Sequence, residues 1–291
     1  MHTPLHRLTL AAVLAACSLP ALAAPPAIVP GTVFRDCDTL CPEMVVVPAG
    51  TFVMGTPADE MGRQDDEGPQ HPVTFAKPFA ISRFQVTAGE WDAYLKASGA
   101  RIADGDDRPG RRCTASKPSY PQGPRQPAVC MTYFDVQDYV AWLSQKTGHT
   151  YRMVSEAQRE YAARGGSSGP FPFEPDANYQ ISRHANVYGP KDGFSFSSPV
   201  GSFPANAFGV YDMHGNVYEW VEDCEHDSYV GAPADGSAWG RASRAADSCK
   251  VVQIRGNDWG EAPIFSRSGN RNAMVPGKPG DWLGVRIVRE L

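Results

Sequence analysis

Asp212 and Glu219 flank Gly215-Asn216 within the ten residues Tyr211-Asp212-Met213-His214-Gly215-Asn216-Val217-Tyr218-Glu219-Trp220. A carboxylate, a turn and a second carboxylate give oxygen ligands a way to converge on one point. Hard cations such as calcium take carboxylate and carbonyl oxygens, and a glycine allows the sharp bend that gathers them. The competing reading is a buried turn whose polar groups satisfy one another.

The chain around this stretch has 291 residues and a formal net charge of -5. It has no run of Lys or Arg and no basic helix, so nucleic acid is not an expected partner. Residues 1–23 read as a secretory signal: His6 and Arg7, an apolar run from Leu8 to Leu19, then the small-residue cleavage site Ala21-Leu22-Ala23. The run is too short to span a bilayer. Leu14-Ala15-Ala16-Cys17 also resembles a lipoprotein box, which would leave a lipid anchor on Cys17. Residues 24–36 are a Pro-bearing lead-in to one domain over 37–291. Six cysteines remain beyond Cys17, an even set that suits disulfides in an exported protein. Their connectivity is open; pairing of sequence neighbours, Cys37-Cys41, Cys113-Cys130 and Cys224-Cys249, is the expectation. Cys37 and Cys41 are spaced CxxxC rather than CxxC, which favours structural use over redox use.

The elements that must position the turn follow from local signals. Met44-Val45-Val46-Val47 and Thr51-Phe52-Val53-Met54-Gly55 read as strands around Pro48-Ala49-Gly50, and Phe79 to Val86 is strand-like. Thr87-Ala88-Gly89-Glu90 is a capping box ahead of Trp91, Tyr94 and Leu95. Asp135 is expected to cap a second helix, with Val136, Tyr139, Val140 and Leu143 on one face. Ser155-Glu156-Ala157-Gln158 opens a third, ending at Arg164. Residues 167–204 lack periodicity, a length of loop that is usually functional or metal-ordered. Trp282 to Arg289 alternates as a strand does. Strands and helices in this order suit an α+β fold rather than a βαβ parallel sheet.

Several segments together resemble the formylglycine-generating enzyme (sulfatase-modifying factor) family. They are Pro48-Ala49-Gly50-Thr51-Phe52-Val53-Met54-Gly55, Ser155-Glu156-Ala157, Glu160-Tyr161-Ala162-Ala163-Arg164-Gly165-Gly166, Gly215-Asn216-Val217-Tyr218-Glu219-Trp220 and Gly284-Val285-Arg286. The resemblance implies one compact α+β domain, C-type-lectin-like, with little regular secondary structure. It also implies two structural calcium sites. The first would use the side chains of Asn186 and Asp192 with the carbonyls of Val187 and Phe194. The second would use Asp212 and Glu219 with the carbonyls of Gly215 and Val217.

One departure from the family decides the expected chemistry. Formylglycine-generating enzymes hold copper(I) on two cysteines, the soft ligand that ion prefers. Here the corresponding positions carry Glu261 and Ser266, and no cysteine lies beyond Cys249. A copper-thiolate site of that kind is therefore not expected, nor is oxidation of a sulfatase cysteine. Asn257-Asp258-Trp259-Gly260-Glu261, Phe84-Gln85-Val86-Thr87 and the signal peptide narrow the resemblance to the family's periplasmic pyoverdine-maturation branch. That branch implies a peptide siderophore precursor as substrate, other periplasmic maturation enzymes as partners, and oxidation of a dihydropyoverdine chromophore. Glu261 is then the expected catalytic base, since burial raises a carboxylate's affinity for protons. Trp259 and Phe265 would form an apolar wall; Ser266, Arg267 and Arg271 would orient the substrate. Each has a plainer alternative as a solvated or core residue, and the whole chain has one as a non-catalytic binding module of the same fold. No Gly-x-Gly-x-x-Gly follows a strand. Dioxygen is the expected acceptor, and no redox cofactor is assigned.

Overall fold

The computed structural model describes residues 29–38, 41–108, 111–245 and 248–291. The expected signal peptide and Cys17 lie outside the described residues.

Met44–Val47 shows how the sequence builds the core. All four side chains are buried, and alternate residues belong to different apolar clusters. Met44 and Val46 pack on one side of the sheet, Val45 and Val47 on the other. This is the period-2 alternation of a strand covered on both faces. Five strands form this sheet, in the order Val33–Phe34, Met44–Val47, Phe79–Ser82, Ile287–Arg289, Tyr151–Met153. A second sheet runs Asn272–Met274, Val252–Arg255, Tyr218–Cys224, Leu283–Val285. Its last pair is parallel. Hairpins Gly50–Met54 with His71–Phe75, and Gly105–Arg108 with Arg111–Cys113, complete the strands.

Helices α1 (Ala88–Ser98) and α2 (Tyr133–Thr147) cover one face. Trp91, Tyr94, Val136, Tyr139, Val140 and Leu143 enter the first cluster from them. Helix α3 (Glu156–Arg164) covers the other with Ala157, Tyr161, Ala162 and Ala163. All three open with a reciprocal capping box. In α2 the cap is Thr132, not Asp135: Asp135 sits three residues in, and its carboxylate returns to the Thr132 N–H at 2.8 Å. The three disulfides pair sequence neighbours as expected: Cys37–Cys41, Cys113–Cys130 and Cys224–Cys249.

Two strand expectations change. The stretch from Phe79 pairs only to Ser82. Trp282 to Arg289 is not one alternating strand but two short buried ones in different sheets, Leu283–Val285 and Ile287–Arg289. Arg286 is the link between them, and its guanidinium turns inward to Glu219. Among the described residues no helix is long and apolar enough to cross a membrane.

Candidate active site

Glu261 follows the strand Val252–Arg255 on a loop whose shape is set by side-chain hydrogen bonds. Gly256, at φ +106°, packs against the Arg159 guanidinium so closely that a Cβ would collide with it. Asn257 also takes positive φ and donates from its amide to Ser266 Oγ at 2.7 Å and to Ala262 O at 3.2 Å. Asp258 accepts the Gly260 N–H. Pro263–Ser266 then closes as a short 3₁₀ turn. Glu261 is half-buried at the rim of this loop.

The loop is tied to the Asp212–Glu219 turn. The Trp259 N–H donates to Asn216 O at 3.1 Å, and His214 Nδ1 meets Ser266 O at 2.8 Å. Burial pushes His214 down to about 4, against the pull of the Ser266 carbonyl. The ring is therefore neutral at physiological pH and carries one N–H, with Nδ1 facing Ser266 O at 2.8 Å and Nε2 facing Ala163 O at 3.4 Å. Gly215 is obligatory: a Cβ there would strike Asn186 O.

At this turn oxygens converge, residue 212 taking part through its carbonyl rather than the expected carboxylate, whose Oδ2 accepts the Gly201 N–H at 2.8 Å. Asp212 O, Gly215 O, Val217 O and Glu219 Oε1 lie 3.4, 3.4, 3.0 and 3.0 Å from one atom, Gln85 Nε2. An amide nitrogen has two hydrogens for these four acceptors. Gln85 Oε1 and Asp212 Oδ1 are buried without a hydrogen-bond partner. Gathered carbonyls, a carboxylate and two unpartnered side-chain oxygens fit the all-oxygen shell of a hard cation. Glu219 has further work here. Burial would raise its carboxyl, but Arg159 at 3.0 Å and Arg286 at 3.2 Å outweigh that and hold it below the usual range. Burial raises Asp212 to about 6, against the Gly201 N–H and Arg286.

The other expected cation turn is folded by hydrogen bonds to Asp192. Asp192 accepts the N–H groups of Val187 at 2.8 Å and Phe194 at 2.9 Å, which folds residues 187–194 around its carboxylate. Asn186 donates to Phe196 O at 2.9 Å, and its Oδ1 is buried without a partner. The two turns touch through the Asn216 N–H, which donates to Asn186 O at 2.8 Å. Among the described residues no three His, Cys, Asp or Glu side chains cluster as a metal site. A cation at either turn would thus depend on carbonyl and amide oxygens as well as carboxylates.

The expected substrate-orienting residues divide. Trp259 packs on the Cys113–Cys130 disulfide region and meets the rings of Tyr120 and Phe196 edge-on. Phe265 is half-buried on the same loop. Ser266 is fully buried and holds Asn257, so its role is to shape the loop. Arg267 and Arg271 require correction. Arg267 is 2% exposed and bonded to Glu60 and to both oxygens of Glu67. Arg271 is 1% exposed and bonded to Glu156, Asp66 O and His226 O. Both guanidinium groups are consumed inside the fold, since a buried cation must be paired. Periodicity had no access to partners some 200 residues away. Gln85, Arg159, His214 and Arg286, which build the site, were not assigned roles from sequence. Gln85 and Arg286 lie within motif segments that carried the family resemblance.

Comparison with known proteins shows the family of the chain. A family model described as the sulfatase-modifying factor enzyme 1-like domain matches residues 29–291. The solved structure of PvdO from Pseudomonas aeruginosa is 69% identical, with a TM-score of 0.87 over 91% of this chain and 100% of that one. The mouse protein named inactive C-alpha-formylglycine-generating enzyme 2 is 32% identical over 85% of each chain. The mouse formylglycine-generating enzyme is 27% identical over 62% of this chain, which spans 58% of that relative's length.

Proposed function

The chain belongs to the sulfatase-modifying factor family, and from that premise we propose that it is a periplasmic oxidase of siderophore maturation, converting a peptide-borne dihydropyoverdine chromophore to the aromatic fluorophore. The observation that carries the proposal is the 69% identity to PvdO over the whole of that chain. Glu261 supports it: a half-buried residue on the same loop as Trp259 and Phe265, held by backbone hydrogen bonds to Asn216 and Tyr188.

In this reading Glu261 takes a proton from the dihydro ring, and Trp259 and Phe265 shield the reacting face from water. The ring loses two protons and two electrons, and dioxygen accepts both to give hydrogen peroxide. Ser266 and Asn257 hold the loop so that the carboxylate stays at the rim. Calcium at the two turns, on Asn186, Val187, Asp192 and Phe194 and on Asp212, Gly215, Val217 and Glu219, would be structural: it would order loops that no helix or sheet supports.

A non-catalytic binding module is the second reading, supported by the likeness to a relative that carries "inactive" in its name. A strain lacking this protein separates the two once complemented. Under the oxidase reading, dihydro-chromophore peptide accumulates without the protein and disappears when the wild-type chain is restored. Complementation by a Glu261→Gln chain at equal protein level would favour the binding module.

A further inference from the structure

Two large aromatic side chains stand at the surface within one short segment: Tyr188 is 72% exposed and Phe196 39%. An exposed aromatic ring offers a flat apolar face on which a planar ring can stack. Their segment is not loosely held. The Tyr188 N–H donates to the carbonyl of Glu261 at 3.0 Å, which sets the two backbones side by side. Phe196 O accepts from the Asn186 amide. The Phe196 ring stacks on Tyr120 at 4.7 Å and 7°, and meets Trp259 edge-on at 5.1 Å. Tyr120 is itself buried, with its hydroxyl bonded to Asp281 O at 2.8 Å. The Asp192 carboxylate folds the intervening residues between the two rings.

We propose that Tyr188 and Phe196 are the substrate-positioning residues of this site, aromatic side chains on the segment bonded to the Glu261 backbone that receive the planar catechol-bearing ring. The inference rests on the oxidase reading of Glu261 and adds what it lacks, a surface that recognises the ring. Phe196 offers an exposed ring that is already immobilised by Tyr120 and Trp259, so stacking costs little ordering entropy. Tyr188, whose N–H is bonded to the Glu261 carbonyl, carries a phenol hydroxyl suited to a catechol oxygen. Arg267 and Arg271 cannot do this work, because carboxylates inside the fold already hold them.

The test uses the full mature protein, 6,7-dihydroxyquinoline as a binding probe read by tryptophan fluorescence, and turnover of dihydro-chromophore peptide. Phe196→Ala and Tyr188→Ala are expected to weaken probe binding and raise KM by about tenfold each, with kcat within about twofold. Phe196→Tyr should restore both values, and Glu261→Gln should bind the probe as wild type does. Thermal melting of each variant confirms that the fold is retained. If wild type binds and turns over while the double alanine variant keeps its Kd and KM, the positioning role is refuted and the oxidase reading stands. If wild type neither binds the probe nor turns over the peptide, the oxidase reading falls and the positioning role with it.

Discussion

Arg271 Nε donates to Glu156 Oε1 at 2.8 Å, and both side chains are buried. Arg255 reaches the same oxygen at 3.2 Å and Glu160 with its other arm. The carboxylates of α3 thus face arginines rather than water, and this buried network joins the helix to the strand that carries the Glu261 loop.

Removing one member of such a pair leaves an uncompensated buried charge, a loss of about 3–5 kcal/mol. Arg271→Ala is therefore expected to lower the midpoint of urea unfolding markedly. The fraction that remains folded should bind substrate with unchanged KM. A large rise in KM with unchanged stability would instead place Arg271 at the substrate.

Local signals in the sequence were reliable where the structure is local. Thr87 with Glu90 and Ser155 with Gln158 form the capping boxes that their spacing implied. The disulfides join nearest neighbours, because each closes a short loop. Asp135 was misplaced by three residues because both Thr132 and Asp135 carry capping oxygens, and the chain uses them reciprocally. Arginine roles were illegible: Arg267 meets Glu67 and Arg286 meets Glu219 across long stretches of chain, and their motifs name the residues but not the partners. Tyr188 and Phe196 lie in an aperiodic loop, where no pattern distinguishes an exposed ring from a core one.

Calcium at the two turns predicts a stability that depends on free ion. For a site filled at about 100 times its Kd, chelation removes about 2.7 kcal/mol. For a domain of this size that is a fall in Tm of about 5–10 °C. Asp192→Asn should lower the bound calcium measured by elemental analysis and shrink the response to chelator. An unchanged Tm after complete chelation would show that Gln85, Arg159 and Arg286 hold these loops without an ion.

Asp223 sets a pH dependence. Burial, then the negative charge of Glu156, raise its carboxyl above the ordinary range, although the backbone N–H groups of Trp239 and Glu156 oppose them. Between its unfolded value and the raised one, the folded state binds the proton that the unfolded state has lost. Stability from this group is therefore present at low pH and is lost as pH rises from its unfolded value of about 4 through its raised folded value, with a limiting slope near 1.4 kcal/mol per unit. Asp223→Asn should flatten that part of the Tm–pH curve. A wild-type curve that climbs through the window, with the same slope in the variant, would assign the titration to another group.

The central claim is that Glu261 is the base of an oxidation. Purified mature protein and its Glu261→Gln variant would be given dihydro-chromophore peptide in air, with calcium present, while absorbance and oxygen uptake are followed together. Wild type is expected to form the fluorophore with matching oxygen consumption, and the variant to show only the spontaneous rate, at equal peptide binding. Equal rates for the two proteins, or no acceleration by either while both bind the peptide, would contradict it.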